Sequence, residues 1–240
     1  GIFQDVSFNV RAGEVLGVSG LMGAGRTEIM QAIFGYLPHD SGNLYVLGKR
    51  VEIHSPEQAK KLGIGFITED RKTEGLMLQD TIQKNIGLPN LERISQHGVL
   101  DAKKDAKMVQ SAIRDLSIRC SGPTEMCENL SGGNQQKVVF AKWIFINPKI
   151  LILDEPTRGV DIGAKIEIYN IINRLAENGV AIIMVSSELP EIIGMSDRVM
   201  VVHEGRIAGI LDNLSGGNST DHQKVMQENI MILATGGKLE

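Results

Sequence analysis

The feature that most constrains the fold is the stretch ILILDEPTRGVD, which runs from Ile150 to Asp161. Its short apolar run stops at two adjacent carboxylates, Asp154 and Glu155, and Pro156 follows at once. An apolar run bounded by a turn signal indicates a strand that is buried on both faces of a parallel sheet. Open α/β sheets bind ligands beyond the carboxyl ends of their strands, where this acidic pair would lie. Because a buried acidic pair needs a positively charged partner, we expect Mg²⁺ with a nucleotide phosphate there.

A second motif, LSGGNQQK, covers Leu130 to Lys137 and lies 23 residues ahead of the acidic pair, counted from Ser131 to Asp154. A D-E dipeptide alone would also fit an ordinary strand that ends in a polar turn, but the pairing of the two motifs does not. We expect Ser131 to cap a helix whose first glycines, Gly132 and Gly133, leave backbone N–H groups uncovered. The motif therefore predicts an anion-binding helix end.

A glycine-rich loop, GLMGAGRT, occupies Gly20 to Thr27 after a buried apolar strand at Val15 to Val18. It matches G-x-x-x-x-G-K-[S/T] at every fixed position except one, where Arg26 replaces the lysine. In such a loop the backbone N–H groups point at phosphate oxygens, and the following helix presents its positive end to the same anion. Thr27 stands where a hydroxyl would reach Mg²⁺. Because a guanidinium is longer and more rigid than an ammonium group, the exchange at Arg26 is not conservative.

The remaining patterns predict the elements around these motifs. A half-exposed strand is expected over Phe3–Val10, and a hairpin from Asn43 to Ile53 is expected to turn at Gly48–Lys49. Buried strands are expected at 63–68 and 180–186, a closing hairpin at 197–211, and helices from Ser55–Pro56 onward and at 81–88, 101–116, 164–175 and 221–234.

Three smaller expectations concern single features. On the helix at 101–116, Asp105 should face solvent together with Lys103, Lys104 and Lys107. His203, beside the turn of the closing hairpin, is interpreted as a surface histidine. A second LSGGN at 214–218 has neither an apolar helix nor a D-E strand after it, so we expect a surface loop and a coincidental match.

The composition argues against two kinds of partner. A net charge of −4, a pI near 5.8 and 4% aromatic residues do not fit a nucleic-acid-binding surface, which is normally basic. No apolar run approaches the ~18–20 residues that span a bilayer.

Cys120 and Cys127 are the only cysteines and show no metal-binding spacing, so two reduced thiols are expected. The abrupt start inside a predicted strand leads us to expect a piece of a longer protein.

The motifs GLMGAGRTE, EDRK, LSGGNQQK, DEPTRGVD and SSELPE with GMSDR resemble those of an ATP-binding cassette (ABC) ATPase. They are most similar to the C-terminal half of the tandem-cassette subunits of bacterial simple-sugar importers of the ribose, galactose and xylose types. The resemblance implies an α/β P-loop NTPase fold, with a RecA-like, mostly parallel sheet and an antiparallel β edge. It also implies an inserted helical lobe at 75–140, with 1–74 and 141–240 forming the core and β lobe.

The resemblance also implies the ligands ATP and Mg²⁺ and a role for each motif. Thr27 and Asp154 would hold the metal, and Glu155 would polarise the attacking water. Glu69 and Ser187 occupy two further catalytic positions, where the family usually has glutamine and histidine. For Glu69 the residues alone fit a solvated charge run, Glu69-Asp70-Arg71-Lys72, equally well. The residues expected to contact nucleotide are Gly20, Gly23, Ala24, Gly25, Arg26, Thr27 and Glu28 in the loop, with Ser131, Gly132, Gly133 and Gln135 contacting the nucleotide of a partner cassette.

Three departures, Arg26, Glu69 and Ser187, surround one nucleotide, while the acidic pair and the signature LSGGNQQK are intact. They favour a binding module that lends its signature to a partner over a fully active ATPase half; a soluble, non-transport ABC ATPase is a third alternative. The expected partners are an N-terminal cassette of the same polypeptide, a transmembrane permease and, indirectly, a periplasmic sugar-binding protein, with no nucleic acid. The expected location is the cytoplasmic face of the bacterial membrane.

Overall fold

The structure, a computed structural model, describes residues 2–96, 98–213 and 220–239. It divides into two compact units: the first comprises residues 1–66, 149–155 and 175–240, and the second comprises 67–148 and 156–174. No helix in these described ranges is both long enough and apolar enough to cross a membrane. The repeated LSGGN at 214–218 lies outside the described residues, so its expected loop stays a prediction.

Most elements lie where the sequence patterns predict them, although four short elements, at 91–94, 95–96, 99–100 and 189–195, were not predicted. The strands are β1 (Val15–Gly20), β2 (Leu44–Val46), β3 (Lys49–Val51), β4 (Ile64–Ile67), β5 (Ser95–Gln96), β6 (Val99–Leu100), β7 (Ile150–Asp154), β8 (Ala181–Val185), β9 (Arg198–His203) and β10 (Arg206–Asp212). The helices are α1 (Arg26–Ile33), α2 (Pro56–Lys61), α3 (Ile82–Gly87), α4 (Leu91–Ile94), α5 (Ala102–Asp115), α6 (Gly132–Ile144), α7 (Ile162–Glu177), α8 (Leu189–Met195) and α9 (Thr220–Ala234).

The main sheet confirms the predicted fold class. Its described strands run in the order β10-β9-β1-β8-β7-β4. Strand β1 pairs in parallel with both β8 and β9, β7 pairs in parallel with β8, and β10 closes the edge antiparallel to β9. The side chains of β1, β7 and β8 are almost wholly buried, as expected for strands with packed faces on both sides. This order places the carboxyl ends of β1, β7 and β8 side by side.

Two predicted details of the first unit are wrong. Residues 3–10 form no strand, because Asp5 adopts a left-handed φ of 54° that breaks the extended run. The first hairpin turns at Leu47–Gly48 rather than at Gly48–Lys49. Both residues have positive φ, 51° and 74°, which is the requirement of the tight two-residue turn that matches strand twist.

The predicted surface histidine, His203, has a structural contact in the first unit. Its Nδ1 lies 2.8 Å from the carbonyl oxygen of Ala234, the last residue of α9. A helix leaves its last carbonyl groups without intrahelical partners, and a ring N–H is one way to satisfy them. His203 therefore ties the end of α9 to β9, which the sequence pattern alone did not indicate.

The second unit is built around α3, α5 and α6. Here the outward orientation predicted for Asp105 is wrong: the residue is 5% exposed and accepts a hydrogen bond from Gln83 Nε2 of α3 at 2.5 Å. It packs toward α3 because Gly87 has no side chain there; a Cβ on Gly87 would lie 3.2 Å from Asp105 Oδ1. Both cysteines are free thiols, as expected.

The second unit is larger than the predicted helical lobe at 75–140. It begins at residue 67 and takes in 156–174, a segment that includes part of α7 and contacts α6. The Lys137 ammonium, for example, donates to Glu167 Oε2 of α7 at 2.9 Å while its side chain is only 2% exposed. The predicted lobe boundaries remain a prediction.

Candidate functional site

The glycine-rich loop connects β1 to α1 in the first unit. Gly20, Gly23 and Gly25 all have positive φ, at 151°, 77° and 96°, which explains why glycine occupies each of these positions. Gly25 is the N-cap of α1, with no side chain to satisfy the first N–H groups of the helix. Above Gly23 there is open space: no atom lies within 4 Å of a Cβ built there. The loop thus leaves room for an anion at the positive end of α1.

Arg26, at the lysine position of the motif, is anchored to the neighbouring strand. One guanidinium N–H donates to the carbonyl oxygen of Ser186, the residue after β8, at 2.9 Å. A guanidinium fork fits such an acceptor with a fixed direction, unlike a flexible ammonium group. The positive charge of Arg26 therefore stays near the loop, but the guanidinium is bound to the backbone just after β8.

Asp154 ends β7 as a buried carboxylate, 1% exposed. Neither of its oxygens has a hydrogen-bond partner among the residues that the structure describes. Burial raises the pKa of Asp154 to about 6, although the neighbouring Thr27 hydroxyl and Arg26 guanidinium favour its charged form. A buried carboxylate with so little compensation of its charge is costly, so this position calls for a cation.

We expect this carboxylate to make stability depend on pH when divalent ions are absent. The folded-state pKa is raised above the unfolded value of 3.8, so the native chain holds a proton that the unfolded chain has already lost. The associated stabilisation is full below pH ~4 and falls by about 3 kcal/mol as pH rises through ~6. Urea unfolding of the wild type and of Asp154→Asn between pH 4 and 7 should show the wild type losing stability relative to the variant.

A stability difference between the wild type and Asp154→Asn that stays flat over this pH range would show that the carboxylate is solvated, contrary to the burial seen here.

Glu155 follows directly and is positioned by the end of β8. Its backbone N–H donates to the carbonyl oxygen of Val185 at 2.9 Å, and its φ of 48° turns the side chain away from the strand direction. The Ser187 hydroxyl donates to Glu155 Oε2 at 3.2 Å. Burial raises the pKa of Glu155, and the hydrogen bond from Ser187 opposes this shift. The structure thus brings Arg26, Asp154, Glu155 and Ser187 together with the loop in the first unit.

The signature lies in the second unit, where Ser131 caps α6 as predicted. Its hydroxyl oxygen accepts from the backbone N–H of Asn134 at 3.5 Å and from the Asn134 side-chain amide at 2.9 Å. Close packing requires a glycine at 133, since a Cβ there would lie 2.4 Å from the Ala164 Cβ. A Cβ on Gly132 would lie 2.9 Å from an Arg71 nitrogen and would displace that guanidinium. The exposed Ser131 and half-exposed Gly132 form the accessible tip of this helix end.

Gln135 is placed differently from the other predicted nucleotide contacts. Its side chain is 6% exposed, and its amide Nε2 donates to the carbonyl oxygen of Cys127 at 3.0 Å. Its backbone N–H bonds to the carbonyl oxygen of Ser131 inside the helix. Gln135 therefore braces α6 through its amide N–H, and its contact with the nucleotide of a partner cassette stays a prediction.

Sequence reasoning missed two arginines that surround Glu69. The Glu69 carboxylate forms an ion pair with Arg158, two residues after Pro156. The Arg71 guanidinium donates to the carbonyl oxygens of Arg158 and Gly159. The available signal was the EDRK run itself, which had two equally good interpretations, a solvated charge cluster or a catalytic loop.

No group of three or more histidine, cysteine, aspartate or glutamate side chains suited to a metal is found among the described residues. Mg²⁺ does not require such a group, since it commonly binds one or two protein ligands and completes its shell with phosphate oxygens and water. The two oxygens of Asp154 without partners, next to Thr27, fit that pattern.

A family model described as ABC transporter matches residues 3–158, which include the loop, the signature and the acidic pair. The chain belongs to the ABC transporter family. Ribose import ATP-binding protein RbsA of Bacillus subtilis (strain 168) is 57% identical over 238 residues, 99% of this chain and 46% of that protein. RbsA of Geobacillus kaustophilus (strain HTA426) is 56% identical over 237 residues, 99% of this chain and 46% of that protein. This ABC chain spans about half the length of these relatives.

Solved ABC structures share the fold at low sequence identity. The ADP conformation of MJ1267, an ATP-binding cassette of an ABC transporter, superposes with a TM-score of 0.76 at 21% identity, over 99% of this chain and 93% of that one. The dimeric post-hydrolysis structure of the cassette MJ0796, bound to ADP and Pi, has the same TM-score at 20% identity and covers 88% of this chain and 90% of that one. At these identities the likeness establishes the fold alone.

Proposed function

We propose that this chain is an ATP-binding cassette domain that couples ATP binding and hydrolysis to sugar import through a membrane permease. Its own loop binds MgATP but supports slow hydrolysis, and its signature completes the site of a partner cassette. The observation that carries the proposal is in the first unit. An anion-accepting loop adjoins Asp154, a buried carboxylate whose oxygens have no partner among the described residues.

The residues of the proposed nucleotide site have three roles. The N–H groups from Gly23 to Thr27 hold the phosphates, with Gly20 and Ala24 shaping the loop and Glu28 at the first turn of α1. Thr27 and Asp154 hold Mg²⁺, which when bound neutralises charge on the phosphate oxygens. Glu155 orients the attacking water, and the Ser187 hydroxyl fixes the Glu155 carboxylate.

Slow hydrolysis follows from the same geometry. Phosphoryl transfer depends mainly on positioning and on the neutralisation of developing charge. The charge of Arg26 is directed at the Ser186 carbonyl, and Ser187 supplies a neutral hydroxyl where a histidine would supply a stronger donor. Binding relies instead on backbone N–H groups that these exchanges leave in place. The presence of Arg26 and Ser187, in place of lysine and histidine, therefore reduces ATP turnover more than it reduces affinity for MgATP.

The partners follow from the relatives. They are named as ribose import proteins and are about twice as long as this chain, which supports a second cassette in the same polypeptide. An import cassette needs a permease in the membrane and a periplasmic sugar-binding protein. We place this domain at the cytoplasmic face of that permease, as a peripheral component.

An active ATPase half is the second candidate, favoured by the intact pair Asp154–Glu155 at the end of β7. In that case Glu155 would act in rapid turnover at this loop. The comparison of Glu155 and Ser131 variants set out in the Discussion separates the two candidates.

The binding step is tested with Gly23→Ala. A Cβ at Gly23 would stand in the open space that we assign to phosphate, so MgATP affinity should fall at least about tenfold, the loss of one charge-assisted hydrogen bond. Affinity is measured by isothermal titration of the chain with MgATP, and amide NMR shifts of residues 23–27 locate the ligand.

The matched control is Gly48→Ala in the first hairpin. Gly48 has a φ of 74° against 77° at Gly23 and also has open space around it, so the backbone strain is the same. Both variants should lose about 1 kcal/mol of stability, but Gly48→Ala should bind MgATP normally. Unchanged binding by Gly23→Ala would place the nucleotide elsewhere and contradict the proposal.

A further inference from the structure

Glu69 and Arg71, which follow β4, make reciprocal contacts with Arg158 and Gly159. The Glu69 carboxylate pairs with the Arg158 guanidinium. In return, two N–H groups of the Arg71 guanidinium donate to the carbonyl oxygens of Arg158, at 2.7 Å, and Gly159, at 3.1 Å. Each segment thus offers one cation to the other. We call these four residues the clasp.

The clasp lies directly behind Gly132, the first glycine of the signature. A Cβ on Gly132 would stand 2.9 Å from an Arg71 nitrogen and 3.2 Å from the Gly159 carbonyl oxygen, so Gly132 packs against the hydrogen bond between them. Gly159 itself has a left-handed φ of 66°, which turns its carbonyl toward Arg71. The position of the signature loop is therefore set in part by the clasp.

The clasp also accounts for the carboxylate of Glu69. A carboxylate in an ion pair with a guanidinium has its charge satisfied and is held in one direction. Its side chain is 40% exposed, and that of Arg158 is 65% exposed, so the ion pair alone contributes modestly. The two hydrogen bonds from a charged guanidinium to backbone carbonyls are stronger, which makes Arg71 the main support.

We propose that Glu69 and Arg71 are positioning residues that hold the signature glycines through Arg158 and Gly159, and that Glu69 does not act on Mg²⁺ or on the attacking water. The inference rests on the proposed function of the signature, and it reassigns Glu69 from the catalytic role that family resemblance implied. Removal of the clasp should lower the rate at a partner cassette without changing nucleotide affinity at this chain's own loop.

The first arm of the test uses the chain alone. Glu69→Gln, Arg158→Gln, the double variant and the charge-swapped pair Glu69→Arg/Arg158→Glu are compared by NMR. Either single variant should shift and broaden the amide signals of Gly132 and Gly133. The double variant should show changes no larger than those of a single variant, and the swapped pair should restore the wild-type signals. Affinity for ATP, titrated at several Mg²⁺ concentrations, should stay within about twofold throughout.

The second arm measures ATPase kinetics of the chain joined to a preceding cassette. We expect kcat to fall about threefold in Glu69→Gln and equally in Arg158→Gln, and at least about tenfold in Arg71→Gln, with KM unchanged. Lys72→Gln, which removes a neighbouring exposed cation, is the control and should match the wild type. Ser131→Arg is included as a second control, because a loss of kcat in this variant shows that the signature contributes to ATP turnover.

The outcomes separate cleanly. If Glu69→Gln lowers kcat while Arg158→Gln leaves kcat unchanged, Glu69 acts on the reaction and the inference is overturned. A changed Mg²⁺ dependence of ATP affinity in Glu69→Gln would overturn it in the same way. Unshifted Gly132 and Gly133 signals in all variants would overturn it as well. If Ser131→Arg itself leaves kcat unchanged, the proposed function fails, while the NMR arm still decides whether the clasp holds the signature.

Discussion

Ser131→Arg is expected to lower ATP turnover at least about a hundredfold when this chain is joined to its partner cassette. The exposed Ser131 caps α6 through Asn134, and its loop presents helix-end N–H groups to a phosphate. A donor aimed at developing charge is worth ~2.7–4 kcal/mol in the transition state, and a bulky cation would displace the whole loop. Steady-state ATPase assays of the purified tandem protein, with uptake in proteoliposomes, measure the effect.

Gln110→Arg is the matched control for this variant. It introduces the same residue, and adds the same charge, at an exposed position of α5 in the same unit, so it should leave turnover unchanged. Loss of the Ser131 cap costs only about 1 kcal/mol of stability, so the variant should remain folded, which circular dichroism can verify. Turnover within a few-fold of the wild type would rule out a role for this signature in the hydrolysing site.

Gly20→Ala is expected to destabilise the chain by about 2–5 kcal/mol. A Cβ at Gly20 would lie 2.3 Å from the carbonyl oxygen of Val202, its partner in β9, and that backbone atom cannot move without breaking the β1–β9 ladder. Steric overlap of this kind costs ~1–3 kcal/mol, and the φ of 151° adds strain of similar size. Urea unfolding should show a lower midpoint with an unchanged slope.

Gly42→Ala provides the comparison for Gly20→Ala. Gly42 has a φ of 124°, and no atom lies within 4 Å of a Cβ placed on it, so this variant reports backbone strain without the clash. Its loss of stability should be smaller by at least about 1–2 kcal/mol. Equal losses in the two variants would show that the sheet yields to the methyl group and that the close approach is not restrictive.

Much of the fold could be predicted because apolar runs and glycine spacing are local signals. The buried runs at Val15–Val18 and Ile150–Leu153 became central strands, and the loop glycines occupy positive-φ positions. The errors arose where one residue overrides a pattern. Asp5 broke an alternating segment with a left-handed φ, and Leu47 adopted one that its side chain does not favour.

The site could be predicted only in part, for a different physical reason. Contacts between distant segments leave no periodic trace in a sequence. The pairing of Glu69 with Arg158 joins residues that are far apart in the chain, and Asp105 is buried through a partner on another helix. Glu155 and Ser187 were identified through family motifs, whereas their hydrogen bond is a result of the structure.

The central claim is that this chain's signature matters more for turnover than its own loop does, and comparing Glu155→Gln with Ser131→Arg tests it most directly. Both are introduced separately into the tandem protein, and ATPase activity and uptake are measured side by side. We expect Glu155→Gln to lower turnover modestly, because it disables a site that is already slow, and Ser131→Arg to remove most of the turnover. A larger loss in Glu155→Gln than in Ser131→Arg would mean that this chain's own loop is the motor.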